Sequence, residues 1–117
     1  MLENQLRSWL DTIIERPNVA AVNIGLIESP EGYAAYVIGA NEYDPDNDDW
    51  ACAEDFVPEN KYCKLEIAPE EYWESVQQAV VEAIRILLDK APTCPGLLLH
   101  VPVVTVGFDD GELVRVK

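Results

Sequence analysis

The residues best suited to chemistry crowd one segment, EYDPDNDDWACAEDFVPE, residues 42–59. Glu42, Asp44, Asp46, Asp48, Asp49, Glu54, Asp55 and Glu59 are carboxylates with no Lys or Arg among them, and Trp50 and Phe56 stand in their midst. Three readings are open. The first is a divalent-cation site. Asp44-x-Asp46-x-Asp48 follows the first three ligand positions of an EF-hand loop and Asp55 falls at the twelfth, so Asp44, Asp46, Asp48 and Asp55 are the candidate calcium ligands. Against it, Asp49 stands where that loop needs Gly, and the twelfth position is Asp rather than Glu. The second reading is a contact surface in which Asp46, Asp48, Asp49, Glu54 and Asp55 form an acidic collar around the anchors Trp50 and Phe56. Aromatic residues concentrate interface energy, and a ring of acid steers a basic protein partner. In the third, the acids are solvated and the aromatics pin the loop to the core.

Catalytic combinations are sparse elsewhere. His100 is the sole histidine and sits in the apolar run LLLHVPVV, where a packed, hydrogen-bonded role is expected. Ser8, Ser29 and Ser75 lack the glycines of a nucleophile elbow. Cys63 lies between Lys61 and Lys64, whose positive charge favours a thiolate, although a half-buried structural thiol is the simpler expectation. Cys52, Cys63 and Cys94 are odd in number and form no CxxC pair, so neither a zinc site nor a disulfide framework is expected. They read as free thiols in a reduced, cytosolic setting. There is no glycine-rich phosphate loop. The chain therefore reads as a binding protein without cofactor rather than an enzyme.

Charge narrows the partners. With 22 acids against 8 bases over 117 residues the net charge is −14, which repels phosphate backbones and anionic lipid headgroups. Neither nucleic acid nor a membrane surface is an expected partner. The hydrophobic fraction of 49% is that of a globular domain, not of a disordered acidic tail. The opening segment carries acids and a helical pattern, unlike a secretory signal. The uncharged run 91–108 is broken by Pro92, Pro95, Pro102, Gly96 and Gly107, unlike a spanning helix.

The elements that must hold the acidic segment follow from periodicity. Leu2, Leu6, Trp9, Leu10, Ile13 and Ile14 share one helical face, and Pro17 ends that helix. VAAVNIGLIE (19–28) alternates as a strand, Ser29-Pro30-Glu31-Gly32 has the chemistry of a hairpin turn, and a second strand covers 33–43. The spacing predicts a helix over 69–91 with Trp73, Val76, Val80, Ala83, Ile84 and Leu87 as its apolar stripe. HVPVVTVGF and ELVRV flank Asp109-Asp110-Gly111 as a second hairpin. The expectation is a single α+β domain, αββ–loop–αββ, with halves 1–43 and 69–117 joined by an acidic loop over 44–68. The simplest arrangement is a largely antiparallel four-stranded sheet with both helices packed on one face. Its other face is then free for solvent or a partner, and a homodimer stays open.

On a small acidic αββ-type chain, the stretch YDPDNDDWACAEDFVP (43–58) resembles segments of compact bacterial immunity proteins. The resemblance covers the loop alone. It implies a cytosolic protein that neutralises a toxin by stoichiometric binding, with a basic nuclease as one candidate toxin and the acidic loop as the contact.

Overall fold

The computed structural model describes residues 2–90 and 94–117. The elements are α1 (Leu2–Asp11), β1 (Ala21–Ser29), β2 (Gly32–Ala40), a 3-10 turn (Asp48–Cys52), β3 (Tyr62–Lys64), α2 (Trp73–Asp89), α3 (Gly96–Leu99), β4 (Val104–Phe108) and β5 (Val114–Arg115). They form an α+β fold around one five-stranded sheet in the order β3-β2-β1-β4-β5.

The sheet differs from the expected one in two ways. It has a fifth strand, because KYCK at the end of the acidic loop pairs with the outer edge of β2. It is also mixed: β1 and β2 are antiparallel, but β1 and β4 run parallel from Val22↔Val104 to Leu26↔Phe108. Each half feeds its first strand from a helix on the same sheet face, so the two strands enter from one end and meet side by side. β1 and β4 are buried on both faces, as central strands must be.

The two turns form as their residues require. Gly32 takes φ 131°, a conformation open to glycine, and closes the β1–β2 hairpin while the Ser29 hydroxyl donates to the Gly32 carbonyl. The Gly111 N–H donates to the Phe108 carbonyl across the β4–β5 turn.

The helices are shorter than their apolar patterns and there is a third. α1 ends at Asp11, six residues before Pro17, where Thr12 and Ile13 donate to the carbonyls of Trp9 and Leu10 and tighten the last turn. The β-branched run Thr12-Ile13-Ile14 disfavours further helix. Ile13 still reaches the core, whereas Ile14, expected on the buried stripe, is 79% exposed. α2 starts at Trp73 rather than 69, and Trp73 is half-exposed, its ring edge-on to Phe108 at 5.9 Å, rather than a core residue. The expected end of that helix at Ala91 and the break at Pro92 lie outside the described residues. Residues of the expected strand HVPVVTVGF are reassigned too. His100 caps α3 and is exposed, so it is not a packed strand residue, and the strand begins at Val104.

The three helices among the described residues pack on one face of the sheet, where two were expected. Leu6 and Leu10 of α1, Val80 and Ile84 of α2, and Leu97 and Leu98 of α3 bury against Val22, Ile24, Val37, Val104 and Val106. The opposite face is not left bare. There Ala21, Ala40 and Val103 form a second, smaller cluster, completed by Trp50 of the acidic loop.

Candidate functional site

The acidic segment is folded onto the sheet by contacts of its own residues. Trp50, one of the two anchors considered from sequence, is 8% exposed and packs edge-on against Tyr43 at 5.2 Å. Its indole pins the loop, so it does not offer a free surface. Phe56 is half-buried, packs against the main core, and its backbone exchanges two hydrogen bonds with Gly39 at 2.9 and 3.0 Å. The Arg115 guanidinium stands 5.5 Å over the Tyr43 ring, the cation the segment itself lacks.

These contacts sort the carboxylates. Asp44 accepts from the Asp46 N–H at 2.9 Å, Asp55 from the Asn41 N–H at 2.8 Å, and Asp48 from the Leu113 N–H at 3.1 Å. Asn47 accepts from the Asp49 N–H at 2.9 Å and caps the 3-10 turn. Glu54 pairs with Lys61. The carboxylates of Glu42, Asp46, Asp49 and Glu59 are exposed and have no hydrogen-bond or ion-pair partner among the described residues. The seven contact candidates thus separate: Asp46 and Asp49 are uncommitted, Glu54 is paired, Asp48 and Asp55 tie the loop down, and Trp50 and Phe56 anchor it. The candidate calcium ligands Asp44, Asp46, Asp48 and Asp55 do not converge. Among the described residues no three His, Cys, Asp or Glu side chains gather as a metal site, and three of these four carboxylates accept from backbone N–H groups instead.

Where the loop stands away from the sheet it roofs a cavity of about 460 Å³. Asn23, Ile27 and Tyr36 form its floor on β1 and β2, with Asp48, Cys52 and Glu54 on the loop side. Lys61 and Tyr62 close one end, and Asp109 and Leu113 of the β4–β5 hairpin close the other. A Cβ on Gly25 would fall inside the Tyr36 ring, so glycine is what lets that ring lie on the sheet. The Tyr36 hydroxyl donates to Asp109, and burial, then this bond, pushes its titration well above the usual tyrosine range. Lys61 Nζ lies 5.5 Å from the Tyr36 ring centre and 5.1 Å from that of Tyr62, and its bond to Glu54 favours the charged ammonium. Three acids and one base line the space, so it is electronegative.

Sequence reasoning passed over Asn23, Gly25, Tyr36, Tyr62 and Asp109. The available signal was a polar Asn and a Gly inside an otherwise apolar strand, which mark a buried hydrogen bond and a close approach.

Cys52, Cys63 and Cys94 are free thiols. Burial pushes the Cys63 thiol up, so the neighbouring lysines do not make it a thiolate. No described helix is long and apolar enough to cross a membrane. The fold and site define an α+β domain whose acidic loop is docked on the second face of a mixed sheet. Comparison with protein-family models, curated proteins and solved structures finds no match.

Proposed function

We propose that this chain is a binding domain for a basic protein, engaged through the exposed carboxylates of the docked acidic loop. The observation that carries the reading is the set Glu42, Asp46, Asp49 and Glu59: exposed, without partners among the described residues, and borne on a loop tied to the sheet at Gly39, Asn41 and Leu113. Charge on a pre-ordered segment speeds association, and binding does not have to meet the entropy of ordering the loop. Following the resemblance of residues 43–58, the partner is a toxin, and the protein neutralises it by stoichiometric binding in the cytosol. Three free thiols suit that reducing compartment.

The test is affinity capture from the native host with a tagged chain, run beside an Asp46→Asn/Asp49→Asn double variant. The reading expects a basic protein held in equal amount, released by added salt, and much reduced on the variant. A partner retained equally by both forms removes the loop from the contact.

A further inference from the structure

We infer that the cavity beneath the acidic loop is a binding pocket for an arginine side chain together with the peptide group beside it. Three features lead there. The first is that the pocket already shows what it attracts. The Lys61 ammonium lies over the faces of Tyr36 and Tyr62 and is paired with Glu54, an aromatic and carboxylate box of the kind that holds cations. With Lys61 in place about 460 Å³ stays open, a volume in the range of small-ligand pockets.

The second feature is an unused donor on the floor. Asn23 is 2% exposed and lines the cavity. Its Oδ1 accepts from the Thr105 hydroxyl at 2.9 Å, but its Nδ2 donates to no group among the described residues. That N–H is open to the cavity, where a ligand carbonyl can accept from it. The third is charge. Asp48, Glu54 and Asp109 face the space against Lys61 alone, so a second cation is favoured there and an anion is not. A cation a few bonds from a carbonyl describes a basic residue in a peptide. Arginine suits the two tyrosine faces and the carboxylates better than lysine, since a planar guanidinium stacks and pairs at once.

This inference rests on the reading of the loop as a contact for a basic protein and says where that protein's side chain enters. Its test needs no partner, so the two can fail separately. Isotope-labelled protein is titrated with N-acetyl-arginine amide, with butylguanidine as the cation lacking a carbonyl, and with N-acetyl-citrulline amide as the uncharged isostere. Expected are shifts of the Asn23 side-chain amide and of Tyr36 and Tyr62 on adding the arginine compound, about threefold weaker binding of butylguanidine, and none of the citrulline compound. Lys61→Ala, which removes the internal competitor, strengthens binding about threefold or more, and Tyr62→Ala, at an exposed position, weakens it about threefold. Equal binding of the arginine and citrulline compounds overturns the inference. So does absence of binding to both wild type and Lys61→Ala, or a response confined to Glu42, Asp46 and Asp49, which marks a counter-ion effect. Arginine carried in a peptide chain is distinguished from a free amino acid by a Gly-Arg-Gly peptide shifting the same residues more strongly than the single amino-acid derivative.

Discussion

The ring of Tyr36 lies over Gly25, its partner across the β1–β2 pair, and the hydroxyl at its tip donates to Asp109 on the β4–β5 turn. One side chain thereby spans from the second strand to the far hairpin across the face that carries no helix. It forms the floor of the cavity, and the acidic loop, held by Trp50, forms the roof. Gly25 is the condition for this arrangement, and it leads to the first prediction.

Gly25→Ala forces the Tyr36 ring off the sheet. The clash is with the far end of a half-buried side chain, so the cost is that of moving the ring and losing its bond to Asp109, about 0.5–1.5 kcal/mol. Chemical denaturation measures it, and Tyr36 ring resonances unmoved by the substitution contradict the geometry.

Trp50→Ala removes the main apolar tie of the loop. A large buried aromatic replaced by alanine costs about 3–5 kcal/mol. The small satellite cluster and the residual exposure of the ring place Trp50 at the lower end of that range. Limited proteolysis of the variant should cut first within residues 42–59 while the helices stay protected. Cleavage no faster than wild type contradicts the pinning role.

The loop carboxylates divide in stability as they do in geometry. Asp48→Ala and Asp55→Ala each strand a backbone N–H and lower stability by about 0.5–1.5 kcal/mol. Asp46→Asn and Asp49→Asn remain within about 0.5 kcal/mol of wild type, as exposed substitutions do. Thermal melts of the four variants side by side make the comparison. The same melts repeated in millimolar calcium should not move for wild type, since the four candidate ligands stand apart.

Tyr36 gives a pH dependence whose sign is set by its raised titration. Below about pH 10, the ordinary tyrosine value, the phenol is protonated both folded and unfolded. Its contribution is therefore fully present there. Above that pH the unfolded chain releases the proton and the folded one keeps it, so stability falls as pH rises. Denaturation midpoints at pH 9 and pH 11 should differ less for Tyr36→Phe than for wild type, and an equal difference removes Tyr36 as the cause.

What was legible in the sequence was local. Ser29 to Gly32 and Asp109 to Gly111 announce their turns because Gly and Pro restrict the backbone where they stand, and both turns form. The stripe from Val76 to Leu87 is buried as its spacing requires. The parallel union of β1 with β4 was not legible, because residues some eighty positions apart are paired by the packing of the helices rather than by any nearby residue. Trp50 was ambiguous for a related reason. An aromatic among acids reads equally as a contact or as an anchor until the sheet face beneath it is known. Asn23 and Tyr36 lie within strands whose periodicity says nothing of a site, and only the loop folded above them turns that face into a cavity.

Contact between the exposed acids of the docked loop and a basic protein is read residue by residue from a two-dimensional amide spectrum of the labelled chain titrated with the basic protein it captures. Glu42, Asp46, Asp49 and their neighbours up to Glu59 are expected to shift or broaden, saturating at one equivalent, and added salt is expected to reverse the change. Perturbation confined to the outer surfaces of α1 and α2, with residues 42–59 unmoved, contradicts that contact.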